Sequence, residues 1–210
     1  MKQKYSTDMS PAERAALWRQ RLFEAEAGLT RYLTESRGGQ DIDDWIAVRG
    51  EIYAGLPGPS GAEAPEAWQQ VFFRAQALME RFLVSRYGHE ELAAWARAGA
   101  EVHRHVEPDH GRGALDPVLR IARQAELYGS RYEVTEDGPD RAALSITHCA
   151  IWDYREKARA RGVGITLDSP CEYCVHAIGA NVAAKGFRPR HELTDGPEGH
   201  GCHWEAECAV

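Results

Sequence analysis

The hydrophobic period of this chain first changes near residue 130, and that change constrains the fold more than any other feature. Before it, apolar residues recur at helical spacing; after it, short alternating segments appear with helices between them. Leu17, Leu22, Phe23, Leu29, Tyr32 and Leu33 define a first helix. It opens at Ser10-Pro11, with serine as cap and proline in the first turn, and stops at Gly38-Gly39. Ile42, Trp45, Ile46, Ile52 and Tyr53 predict a second helix over 41–54. Trp68, Phe72, Ala75, Met79, Phe82 and Leu83 predict a third over 65–86. A fourth (89–107) follows Gly88, and a fifth (115–129) begins at Asp116-Pro117.

Beyond residue 130, Arg131–Thr135 reads as a strand, Asp137-Gly138-Pro139-Asp140 as a turn and Ala142–Thr147 as the return strand. Helices are expected over 149–161 and from Ser169-Pro170 to Gly186. Phe187–Leu193 then forms a strand, Asp195–Gly199 a turn, and His203–Glu207 closes the chain. The class is therefore α+β: a helical N-terminal region followed by a small, mostly antiparallel sheet with packed helices. The Gly/Pro-rich segment Gly55–Gly61 is the strongest break. It suggests a helical arm (1–56), a linker (57–64) and a domain over 65–210. The arm's Trp18, Phe23, Tyr32 and Trp45 need a surface to bury against, which points to a homodimer.

Composition narrows the function classes. In 210 residues with 43% hydrophobic content, wholesale disorder is excluded. A net charge of −7 without a long basic run argues against nucleic-acid binding, which needs a cationic face. No segment approaches the roughly 20 apolar residues that span a bilayer. The N-terminus has no apolar signal core before its first acidic residues, so a cytoplasmic location is expected.

All five cysteines, Cys149, Cys171, Cys174, Cys202 and Cys208, lie in the last third of the chain. In a reducing compartment such clustering favours catalysis or metal binding over disulfides. Three short pieces carry the chemistry: His148-Cys149, Cys171-x-x-Cys174-x-His176, and Cys202-His203. With Ser169 as cap, Cys171 falls in the first turn of its helix, where free amide N–H groups favour a thiolate. Cys171 or Cys174 is thus a candidate nucleophile. His176 has no helical pairing with either thiol, so the base comes from elsewhere, with His148 or His203 as candidates. In the competing metal reading Cys149, Cys171, Cys174 and Cys202 form a tetrahedral site for Zn or Fe. Arg188 and Arg190 alternate on a strand and could hold a substrate carboxylate, though a surface role is the default. His203 alternates with Trp204 and belongs to the site only if its face of the strand is covered. The run His103–His110 reads as a polar helix end, or as a rim over the site.

The strand into Thr147-His148-Cys149, the Gly-containing connection to Cys171, the small-residue helix and Gly201-Cys202-x-Trp204-x-Ala206 resemble the L-2-amino-thiazoline-4-carboxylic acid hydrolase family over about residues 65–208. The resemblance implies a hydrolase that opens a cyclic amidine-like ring, or cleaves another C–N or C–S bond of a small amino-acid-derived molecule. It implies attack by Cys171 or Cys174 with His148 or His176 moving protons, and Arg188, Arg190 or His203 holding the substrate. One position departs: Cys174 stands where the family pattern carries an acidic residue. The layout also resembles 4-vinyl-reductase-type ligand-binding domains, which implies a metal- or small-ligand-binding sensor or carrier without turnover.

Overall fold

The computed structural model describes residues 5–58 and 64–209. Seven α-helices and one four-stranded antiparallel sheet form among them. The helices are α1 (Pro11–Arg31), α2 (Ile42–Ala54), α3 (Pro65–Tyr87), α4 (Leu92–Val106), α5 (Leu115–Tyr128), α6 (Ala150–Ala160) and α7 (Cys171–Ala184). The strands are β1 (Arg131–Asp137), β2 (Arg141–His148), β3 (Phe187–Gly196) and β4 (Gly199–Cys208). No helix is long and apolar enough to cross a membrane, among the described residues.

The chain divides into two compact units, Asp8–His103 and a second that runs from Arg104 onward and takes in the N-terminal strip through Thr7. The boundary thus falls inside α4 rather than at the Gly/Pro-rich segment. The linker expected over 57–64 lies largely on residues 59–63, outside the described residues. Packing explains the shift. α1 and α2 both pack on α3, so the predicted arm and the first helix of the predicted domain share one core. Trp18 meets Phe72 at a ring-centroid separation of 5.1 Å, and Trp45 meets Phe82 at 5.7 Å. Trp18, Tyr32 and Trp45 are fully buried within this unit. The apolar demand that suggested a homodimer is therefore met inside one chain, and of the four aromatics only Phe23 is exposed.

α1 opens as its sequence requires. The Ser10 hydroxyl accepts from the Glu13 N–H at 3.3 Å, and Glu13 returns the bond to the Ser10 N–H at 2.7 Å. The helix widens at its exit into a π-turn over Tyr32–Ser36 instead of running on as α-helix to Gly38.

In the second unit the strand order is β1-β2-β4-β3. Two hairpins, β1–β2 and β3–β4, join through β2 and β4, with α6 and α7 intervening in sequence. Period-two alternation assigns the faces. Ala142, Leu144 and Ile146 of β2 and Trp204 and Ala206 of β4 point to one side. Val118, Ile121, Ala122 and Ala125 of α5 and Ile178 and Val182 of α7 cover that side and complete the core. Gly201 permits the close approach of β4 to β2, since a side chain there would clash with the Ile146 carbonyl.

The opposite sheet face is polar. His203 bonds Ser145 Oγ through Nδ1 at 2.9 Å and approaches Glu205 at 3.3 Å through Nε2. Arg188 and Arg190 both pair with Glu207, the latter at 3.2 Å. The hydrogen bond from Arg188 holds the Glu207 carboxyl below its ordinary value.

Candidate functional site

The site is built where the two hairpins meet α7. α7 starts at Cys171 with Pro170, not Ser169, in the cap position, and Ser169 stands one residue further out, where its Oγ accepts the Cys171 N–H at 3.2 Å. Glu172 reaches back to accept the Asp168 N–H at 2.8 Å. This places the Cys171 thiol in the first turn of a fourteen-residue helix, facing the start of β4.

There it meets His200. Cys171 Sγ lies 3.4 Å from His200 Nε2. On the other side of the ring, His200 Nδ1 lies 2.9 Å from Asp195 Oδ1. With the carboxylate accepting from Nδ1–H, Nε2 carries the lone pair and faces the thiol. Asp195 and His200 are cross-strand partners in the β3–β4 register, one step before the tight turn closed by Gly196 and Gly199. The indole of Trp152, on α6, stacks on the imidazole at 3.7 Å. The Cys149 N–H donates to the His200 carbonyl at 2.8 Å and ties the start of β4 to the end of β2. Ring, backbone and carboxylate thus fix one orientation of His200.

The other thiols gather around the same apolar cavity. Cys149, Cys171, Cys174 and Cys202 all line it. Burial raises all four thiols. Cys171 is pushed up to about 11 and Cys202 to about 12, with neighbouring cysteines adding to the burial. Cys174, the most deeply enclosed, is raised further still. Near neutral pH, Cys171 therefore rests as a thiol. A base must take its proton during attack, and His200 Nε2 is placed to do so.

These shifts have a consequence for stability. Between pH 9 and 11 an unfolded chain releases the Cys171 proton while the folded chain keeps it. The stabilisation is complete below pH 9 and declines as pH rises toward 11. Denaturant midpoints should fall steeply from pH 8.5 to 10.5, and less steeply in Cys202→Ser. Equal slopes in both proteins would show that burial of the thiol does not govern the decline.

Not every residue expected at the site reaches it. His148 ends β2 beside the cavity, but its Nδ1 faces the Glu198 carbonyl at 2.9 Å and its Nε2 faces Asp153 at 3.3 Å. His176 points to solvent on α7. His203, Arg188 and Arg190 belong to the polar sheet face, because β4 and β3 alternate and the cavity takes the other set. Glu107, from the polar run after His103, holds Arg120 at 3.0 Å and Arg123 at 2.8 Å. His103 itself is buried in the first unit.

Tetrahedral thiolate ligation of Zn or Fe needs sulfurs roughly 3.5–4 Å apart, as metal–sulfur bonds of about 2.3 Å require. Among the described residues, no three of these sulfurs lie within 4.8 Å of one another, and no sulfur pair joins His200 or Asp195 in such a set. The four thiols share a cavity without forming a ligand cage.

His200 and Asp195 escaped the sequence reading, which treated Asp195–Gly199 as turn only. Their symmetry about Pro197-Glu198 was the available signal. A two-residue loop makes the residues flanking Gly196 and Gly199 cross-strand neighbours.

Fold and site together define a helix-backed antiparallel sheet with a thiol–imidazole–carboxylate array at the mouth of an apolar cavity. Comparison with protein-family models, curated proteins and solved structures gives no match.

Proposed function

We propose that the chain is a thiol-dependent small-molecule hydrolase that cleaves a C–N or C–S bond at an electrophilic carbon. The observation that carries this reading is the Cys171–His200–Asp195 array, with spacings of 3.4 and 2.9 Å. Cys171 Sγ attacks the carbon as His200 Nε2 takes its proton. His200 returns that proton to the leaving nitrogen or sulfur, then draws one from the water that releases the product. The positive end of α7 faces the charge that develops beside Cys171. This agrees with the hydrolytic chemistry that the sequence resemblance implies, with His200 in the role first sought in His148 or His176.

A burst of p-nitrophenol from p-nitrophenyl acetate, with the acetyl group mapped to Cys171 by peptide mass, tests the proposal. Acetylation at another residue, or none at all, would sink it. Uptake of a small apolar ligand without acylation would favour a sensor or carrier module instead.

Asp195 should contribute less than the carboxylate of a buried triad. Its side chain is 89% exposed, so water competes for the imidazolium it would stabilise. Asp195→Asn is expected to slow acylation only about tenfold, against the roughly 10⁴ lost when a buried triad carboxylate is replaced. A loss beyond about a thousandfold would show that the carboxylate is sequestered during catalysis.

A further inference from the structure

Resting on the thiol-hydrolase reading, we propose that the group delivered to Cys171 is a short, uncharged apolar acyl chain carried as a thioester. The cavity decides the acyl half. Its walls are Ile121 and Ala125 of α5, Ile146 of β2, Val175 and Ile178 of α7, and Trp204 of β4. Its polar lining residues are Gln124, Tyr128, Ser130 and His200, and no Asp, Glu, Lys or Arg lines it among the described residues. A carboxylate placed inside would lose its hydration and find no fixed cation, since the ring nitrogens of His200 already face Cys171 and Asp195. Arg188 and Arg190 lie on the other sheet face against Glu207. Arg155, on α6, is felt electrostatically by Cys171 and Cys174 but stands outside the lining. A carboxylate-bearing ring such as an aminothiazoline carboxylate is thus poorly matched to this cavity.

The leaving group follows from the relay. A thiol leaves a tetrahedral adduct with far less help from a proton donor than an amine does, and His200 Nε2, 3.4 Å from Cys171 Sγ, is placed to supply that help. An amine leaving group would need full protonation, and the exposed Asp195 supports that imidazolium only weakly.

The steps balance without a further reactant. Sγ of Cys171 bonds to the carbonyl carbon, the carbon–sulfur bond of the thioester breaks, and the thiol proton passes through His200 Nε2 to the departing sulfur. Water then bonds to the acyl carbon, the Sγ–carbon bond breaks, and the water's proton returns through His200 to Cys171. The products are an acid and a thiol.

The test is a series of N-acetylcysteamine thioesters offered to the full chain, with acyl adducts mapped by mass and turnover read by thiol release. Butanoyl is expected to exceed succinyl in kcat/KM by about a hundredfold, the penalty for an unpaired buried charge. Leu193 lines the cavity yet is 46% exposed, so it tolerates a charged replacement. Leu193→Arg should shift the ratio about tenfold toward succinyl. Succinyl equal to or faster than butanoyl, with acylation still at Cys171, overturns the apolar-substrate proposal and leaves the thiol-hydrolase reading intact. Faster opening of aminothiazoline carboxylate than of butanoyl thioester does the same. No acylation of Cys171 by any member overturns both.

Discussion

Cys171→Ala abolishes the acylation burst with p-nitrophenyl acetate, and His200→Ala slows it by about 10²–10⁴. The first loss is complete because no other thiol in the cavity has a base placed against it. Among the described residues, Cys171 is the one cysteine with a hydrogen bond to an imidazole. The second is large because Cys171 is unionised near neutral pH, burial having raised it to about 11. A thiol already ionised would lose little when its base is removed. The two variants also differ in pH dependence. In His200→Ala the residual rate should climb with pH toward the ionisation of Cys171, more steeply than the native rate. Native rates that climb as steeply would show that ionisation of the thiol, rather than proton transfer to His200, limits attack.

Trp204→Ala should cost about 3–5 kcal/mol, a large part of the roughly 5–15 kcal/mol that holds a domain together. Trp204 is buried on β4, one of the two inner strands, and faces Leu144 across the β2–β4 pairing. The His191 ring stacks on it at 4.9 Å. Its indole also forms a wall of the cavity, so truncation leaves a void continuous with the site. The expected signature is a large drop in the denaturant midpoint together with relaxed chain-length selectivity toward longer acyl groups. Trp204→Phe keeps most of the volume and should retain more of both. A loss below about 1 kcal/mol in Trp204→Ala would mean that α5 and α7 collapse into the space.

Much of the fold could be read from the chain itself. The Ser10-Pro11 start, the helical apolar stripes and the period-two segments are local signals. Each names its element because helix hydrogen bonds and side-chain alternation are settled within a few residues. Asp116, by contrast, is not the cap it was expected to be: α5 begins at Leu115 with Ala114 in the cap position. The predicted strands at 131–135, 142–147, 187–193 and 203–207 all lie within the observed ones. The cysteine clustering also picked out Cys149, Cys171, Cys174 and Cys202, which line one cavity.

The domain boundary was not legible in the same way. Gly55–Gly61 breaks the backbone, but a break in the backbone is not a break in the core. Trp18 and Phe72 pack together across it. Burial is decided by which helix faces complement each other, and no local spacing encodes that.

The catalytic partner of Cys171 shows the same division. The sequence alone determined that a helix starts near Cys171 and that histidines flank the late strands. It did not determine which histidine meets the thiol. His148 and His203 stood as candidates and His200 was hidden in a turn, because strand register and helix face decide which ring reaches the thiol. The two-residue turn at Pro197-Glu198 sets Asp195 opposite His200, the strand order brings β4 beside β2, and packing of α7 on the sheet brings Cys171 to that end. Elements are local because their hydrogen bonds are local. Sites are tertiary because their atoms meet only when distant segments bury a common surface.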